Sequence, residues 1–534
     1  MSFLPVVERE LRTGARRPAW YWGRVGAASG ALAVVLCLLL VNRRMPAPQQ
    51  SQILLAGLGV LALVFGLLAG VFLTADCLSE EKREGTLGLL FLTDLKGYDV
   101  VLGKLFATSA QVIYGLLAIF PMLALPLLMG GVTGAEFWRI MLAVLATLFL
   151  SLSLGLAVSA VSQEASQAMV STFLGLLVLA GLPPALWALY QAFSRATPPT
   201  VLLFPCPPFV FYAAFDSSYR TQAGAEEFWT SLALLFLLGL GLLVAAAVIL
   251  PRAWHDRRTA RVIRGAVAQP EGAVGSGRLR PGAGGESELG TDPCFWLANQ
   301  GQFLGTASRA ALALIGLVWL WGLLGTFGGS QHDEAFAVCV YSSYVLHGVF
   351  KCLVAVEATR RFSRDRRTGA LELLLVTPLQ ESDILAGQDR ALVRRFAGLR
   401  WLMVLVNLTL VGMALIFGRW VHLEGRERAV FMELFLGGAL MLLCDFKVLC
   451  RVGMWRGLKA KSHSRAVLGT IGRVMLVPWL ALLLLGFMSA NIPSPPSSVA
   501  VIFAAWFAVG LVNDAVVYLR ARVALSRGLR SFLT

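Results

Sequence analysis

The sequence predicts an all-α polytopic membrane protein of about 12 transmembrane helices, arranged as two parallel six-helix repeats. Three observations lead there. Of 534 residues 57% are hydrophobic and only 14% charged, whereas soluble domains carry about 25% charged residues. Windows of about 20 apolar residues, enough to cross a hydrocarbon core of roughly 30 Å, recur along the chain. A polar stretch beginning at Ser79 is echoed 284 residues later, from Ser363.

The apolar windows are continuous rather than alternating, so helices, not barrel strands, satisfy the backbone in lipid. The first half holds spans over 24–41, 53–75, 103–129, 137–161, 168–190 and 228–250. The second holds 308–328, 335–357, 397–417, 429–450, 467–489 and 498–519. With both termini inside, 37 Lys and Arg fall in inner segments and 8 in outer loops, Lys351 lying within a span. That bias follows the positive-inside rule. It also accounts for the net charge of +15 without nucleic acid, since basic loops face an anionic leaflet. The charged first twenty residues and the spanning length of the next segment predict no cleaved leader. Eight cysteines lack C-x-x-C spacing and read as small buried hydrophobes rather than a metal or disulfide framework.

Aligning Gly85 with Gly369 pairs Ser79, Arg83, Leu87, Leu89, Leu90, Thr93, Leu95, Asp99 and Gly103 with Ser363, Arg367, Leu371, Leu373, Leu374, Thr377, Leu379, Asp383 and Gly387. Both copies fall between the second and third span of a half. Six spans per half is an even number, so the repeats insert with the same orientation. The expected domains are residues 1–258, a Gly-rich basic linker at 259–291, and residues 292–534.

Within each copy the pattern predicts a short amphipathic helix. In the first it covers Glu80–Leu92, with Ser79 as N-cap and Leu87, Leu90 and Phe91 on one face. In the second the face is Leu371, Leu374 and Leu375, and Pro378 ends it. Asp99 and Asp383 suit the N-cap of the next helix. "GYDVVLGKL" is not a P-loop: five residues separate Gly97 from Gly103, and Leu105 stands where Ser or Thr is needed.

These two segments resemble the S-x-E-R-E-x-G-T-L-E-x-L-L-x-T-P-L-x-x-x-x-I-x-x-G-K signature of ABC-2 type transporter permeases, in the copper-enzyme-maturation and gliding-type branch. "LPVVERELRTGARRPAWYW" is similar to that family's N-terminal elbow helix, and "DPCFWLANQ" (292–300) matches it loosely. "PPTVLLFPCPPFVFYAAFDSSY" (198–219) has the character of its outer re-entrant segment. The resemblance implies a non-catalytic exporter permease of double length in the bacterial inner membrane, with both termini cytoplasmic. It implies a separate ABC ATPase, two copies per chain, that binds ATP and Mg, so this chain would hold no cofactor or metal. ATPase coupling would fall to Ser79, Glu80, Arg83, Gly85, Thr86, Leu87, Leu90, Thr93 and Asp99. The second copy would use Ser363, Arg367, Gly369, Leu371, Glu372, Leu374, Thr377, Pro378 and Asp383. Asp94 replaces the family's proline, Gly88 its Glu, and Gln388 stands where the first copy has Lys104, so the two sites are chemically unequal.

Ionisable residues inside spans are functional candidates. Here they are His347 and Lys351, one turn apart, with Glu433, Asp445 and Asp514; Leu63 and Leu67 align with the first two. Two rival readings compete. A proton-coupled secondary transporter of the major facilitator type also has twelve spans and a charged loop after the second. Its loop is a tight turn, while here about 25 residues intervene. A membrane enzyme would need H-E-x-x-H or G-x-S-x-G with partners, and the five histidines show no such spacing.

Overall fold

In the computed structural model the described residues are 4–15, 18–92, 95–193, 198–253, 293–299, 304–328, 332–416, 425–460, 462–491, 499–527 and 529–532. All regular structure among them is helical, and 12 helices are long and apolar enough to cross a membrane. The first six spans are Tyr21–Val41, Ala47–Arg83, Gly97–Met129, Gly134–Val161, Ala165–Gln191 and Gly224–Arg252. The second six are Ser308–Thr326, Ala335–Arg367, Ala397–Leu415, Arg428–Lys459, His463–Leu485 and Ala500–Ser526. The predicted linker lies outside the described residues. Short elbow helices, Leu4–Ala15 and Pro293–Asn299, precede each set. The segment after span 5 forms two small helices, Pro207–Ala213 and Asp216–Tyr219, with Val210 and Phe211 buried.

Spans 2 and 8 run farther than hydropathy indicates, to Arg83 and Arg367. Span 8 continues as one helix, His332–Arg367, into the polar region, whereas span 2 passes through a π segment and a turn at 75–76 before the helix Cys77–Arg83. Each rod ends where the chain first meets a glycine in the left-handed region: Gly85 at φ +71° and Gly369 at φ +72°. This is the usual C-terminal device of a helix. A Cβ at either glycine would meet nothing within 4 Å, so backbone conformation alone demands glycine here.

Close packing follows from small residues, as expected where lipid supplies no hydrophobic drive between helices. In the first half span 2 loosens into a π segment, Gly70–Thr74. The Gly70 amide donates to Ser151 Oγ at 3.0 Å, and that hydroxyl donates to the Leu67 carbonyl at 2.7 Å. A Cβ on Gly155 of span 4 would stand 2.0 Å from Thr74 Oγ1. The second half repeats the crossing: a Cβ on Gly453 of span 10 would stand 2.5 Å from Ala358 Cβ of span 8, the residue aligned with Thr74. Spans 4 and 6 pack together, as do 10 and 12.

Span 5 packs broadly against spans 7 and 8, and span 11 touches span 1 more narrowly. Each half thus sets its fifth span against the other's first, as a two-fold arrangement requires. One side-chain contact fixes the relative orientation. Arg367 Nη2 lies 2.5 Å from Glu80 Oε1, so the ends of spans 2 and 8, with the Gly85 and Gly369 turns and the short helices Thr86–Leu92 and Ala370–Leu375 (the two elbows), emerge at the same end of the bundle and the halves are parallel.

Candidate functional site

The first elbow is built on a buried ammonium. Lys104, near the start of span 3, lies 2.8 Å from both Glu81 Oε1 and Glu10 Oε1. Arg9 reaches the same carboxylates at 3.1 Å and 2.8 Å. The elbow helix Leu4–Ala15, the end of span 2 and the start of span 3 are therefore tied at one point. Burial works to raise the Glu10 pKa, but the Lys104 ammonium and the Arg9 hydrogen bond outweigh it and hold the carboxyl below its ordinary range. Thr86 donates to Glu81 Oε2 across the Gly85 turn.

Two expectations about caps are corrected. Ser79 starts no helix: the helix passes through it, its amide and that of Leu78 donate to Ser159 Oγ at 3.0 Å, and its hydroxyl donates to Asp76 Oδ1 at 2.6 Å. The predicted Glu80–Leu92 helix is two pieces, Cys77–Arg83 and Thr86–Leu92, because Gly85 breaks it. Asp99 is the third helical residue rather than the cap. Its Oδ2 reaches back to accept the Lys96 amide at 3.0 Å, which serves the same helix end from one turn in. Asp383 likewise sits in the first turn of Glu381–Arg395, whose N-cap is Gln380.

In the second copy Ser363 is buried inside span 8, and the helix Ala370–Leu375 follows Gly369. Its support differs from that of the first copy. Arg360 joins Glu357 at 2.9 Å and crosses to Glu164, in the loop between spans 4 and 5, at 3.0 Å; Arg364 reaches Glu164 at 3.3 Å. Arg395 also pairs with Glu357. At the place of Glu81, Asp365 pairs with Arg361 at 3.3 Å, and at the place of Lys104, Gln388 is buried. Thr377 and Pro378 are exposed at the tip, with Thr377 Oγ1 donating to the Leu374 carbonyl at 2.6 Å. Thr93 lies outside the described residues.

The apolar face chosen from spacing turns inward. Leu87 and Leu371 are 1% and 0% exposed, and Leu90, Phe91 and Leu374 pack beside them; Glu372 faces out. The outward apolar residues are Leu89 and Leu92 in one copy and Leu373 and Val376 in the other, 65%, 82%, 70% and 83% exposed. Sequence reading missed them, although both pairs sit at i, i+3 and align with each other.

A second polar site lies within the membrane-spanning part of the second half. His347, Lys351, Asn407 and Ser343 line a cavity of about 110 Å³, opposite Trp479, Trp506 and Phe507. Lys351 Nζ is 2.5 Å from Asp445 Oδ2, and the Asp514 carboxyl lies beside that of Asp445. Glu433 is only half-buried, about three turns earlier on span 10, and is not part of the lining. Asn407 was not foreseen, since a lone Asn in an apolar run carries no spacing signal. Among the described residues no group of His, Cys, Asp and Glu could hold a metal ion.

Residues 41–248 match the family model described as ABC-2 family transporter protein. No curated protein matches the chain. The matched stretch takes in spans 2 to 6, the first elbow with its Gly85 turn, and the crossing of spans 2 and 4. With twelve candidate spans among its described residues the chain is a multi-pass membrane protein, and its segment 41–248 is similar to the ABC-2 transporter family.

Proposed function

We propose that the chain is the permease subunit of an ABC exporter, two ABC-2 type halves in one polypeptide, driven by a separate ATPase that engages both elbows. The chain is non-catalytic in this reading; ATP and Mg belong to the partner, which binds two copies per chain on the cytoplasmic side of a bacterial inner membrane. The observation that carries it is the paired Gly85 and Gly369 turns. Each ends a membrane-spanning rod and presents a short helix whose inner Leu is buried and whose outer apolar pair is exposed. A rod that runs from the bundle to such a tip transmits displacement, and exposed apolar residues at a polar end mark a surface for a partner. Ser79, Glu80, Arg83, Thr86 and Asp99, with Ser363, Arg367, Leu371 and Asp383, set the tips in place; Leu89, Leu92, Leu373 and Val376 make the contact.

The test is purification of the tagged chain from its native membrane in mild detergent. A P-loop ATPase at two copies per chain, lost when Leu89, Leu92, Leu373 and Val376 are all changed to Ser, supports the reading. A chain that purifies alone and moves substrate in vesicles on a proton gradient without ATP overturns it in favour of secondary transport.

A further inference from the structure

The polar cluster of spans 8, 10 and 12 has no part in ATPase coupling, and its charges do not balance. Asp445 and Asp514 are 1% and 2% exposed. Their carboxyls lie beside each other, and both Asp514 oxygens lack a donor. Among the described residues Lys351 is the one ammonium at the cluster, held to Asp445 Oδ2 at 2.5 Å. Two carboxylates against one ammonium leave one negative charge in excess, within a membrane-spanning bundle where an unpaired charge is costly.

The neighbouring groups do not supply the missing positive charge. Asn407 Nδ2 donates to the Met403 carbonyl at 2.7 Å, which fixes the amide nitrogen, and the same nitrogen stands 2.8 Å from His347 Nε2. The imidazole nitrogen must therefore accept there, so His347 is neutral. On span 10 Lys447 is exposed, Cys444 is half-buried, and Glu433 stands turns away. Arg473 of span 11 donates to the Gly469 carbonyl at 3.0 Å and lies over Trp455, and Arg400 of span 9 lies over Phe446. Tyr344 and Tyr518, on spans 8 and 12, add no positive charge.

We propose that Asp445 and Asp514 together bind one proton, held between the two carboxyls beside Lys351, so that the second half carries a membrane-embedded proton site. The proton supplies the donor that the facing oxygens lack and removes the excess charge. The cavity lined by Lys351 and His347 has room for several water molecules, so the site is within reach of a proton donor. In the first half Leu63 and Leu67 occupy the positions aligned with His347 and Lys351. The inference needs only the membrane-spanning bundle and goes beyond the ATPase-coupled reading.

The test is a pH titration of the purified chain in nanodiscs, followed by infrared difference spectroscopy in the carboxylic-acid C=O region. One band that is lost as pH rises is expected in the wild type. It should vanish in both Asp445→Asn and Asp514→Asn, because either leaves a single carboxylate paired with Lys351. Lys351→Met should raise it roughly twofold, since both carboxyls then protonate. A spectrum unchanged by either Asn variant, or a band that survives in Asp445→Asn, overturns the proposal. Labelling by an apolar carbodiimide, which attacks only protonated carboxyls, reads the wild type should a variant fail to fold. An adduct on Asp445 or Asp514 that fades as pH rises is expected, and its absence also overturns the site.

Discussion

Alanine at Gly85 or Gly369 separates conformational strain from steric clash. Both glycines sit at φ of +71° and +72°, and a Cβ at either would touch nothing within 4 Å. The whole cost of a side chain is then that of the left-handed backbone, about 1–2 kcal/mol for an ordinary L-residue and less for Asn. Opening of the elbow beyond the turn becomes easier by that amount, which is about 5- to 30-fold in the opening equilibrium. Hydrogen exchange at residues 86–92 or 370–375 reads it directly, since exposed short helices exchange by local opening. The expected order at Gly85 is Gly slowest, then Asn, then Ala and Leu together. Gly70 is the control of opposite type. Its φ is ordinary, and a Cβ would stand 2.2 Å from the Ser151 carbonyl oxygen, so cost there should grow with size and Asn should give no relief. A Leu far worse than Ala at Gly85, or an Asn no better than Ala, would show that the site is governed by packing and would refute the argument. If the elbows couple to an ATPase, the same Ala variants should lower substrate-stimulated ATP hydrolysis while Asn retains more of it.

Lys104→Met leaves the largely buried Glu81 with Arg9 alone and should cost less than the about 3–5 kcal/mol of an unpaired buried charge, seen as a lowered unfolding midpoint in detergent. Glu10→Gln at the rim of the same cluster should cost less. Acid should release the first elbow helix: the Glu10 pKa is lowered by Lys104, so its contribution is present above the ordinary 4.5 and is lost as pH falls through the depressed folded value, read by exchange over residues 4–15. Arg367→Ala should change global stability by less than about 1 kcal/mol, because Arg367 and Glu80 are 36% and 42% exposed, as a thermal melt would check. Ser at Leu89, Leu92, Leu373 and Val376 should leave the melt unchanged and abolish ATPase co-purification; a lowered melt would place these residues in the fold instead.

Span layout was legible because composition acts locally: a continuous apolar run has no other place to go. The repeat was legible from Gly85 and Gly369, since a left-handed turn leaves a residue-specific mark. The caps were misread because a carboxylate serves a helix end equally well from its third residue, as Asp99 does for the Lys96 amide. The outward apolar pairs were missed for a related reason. Leu87 and Leu89 have the same chemistry, and only the packed bundle decides which one is covered. Pairing across the halves left no trace at all, because Arg360 and Glu164 lie 196 residues apart.

That last class of contact makes the two halves mechanically unequal. The first elbow is braced within its own half, by Lys104 against Glu81 and Glu10. The second is braced partly on the other half, through Arg360 and Arg364 against Glu164. Glu164 caps the short turn between spans 4 and 5, and span 5 is the one packed most broadly against spans 7 and 8. Span 8 thereby meets the first half at the turn between spans 4 and 5, whereas span 2 meets the second half through the exposed Glu80–Arg367 pair and through Val71 and Ala75 in the apolar core shared with span 8. Arg360, largely buried and bonded to both Glu164 and Glu357, transmits load, and exposed single pairs do so weakly. The same asymmetry appears deeper in the bundle, where span 8 carries His347 and Lys351 and span 2 carries leucines. The second half thus combines the link through Arg360 with the Lys351–Asp445–Asp514 cluster, and the two halves are alike in layout but distinct in what they carry.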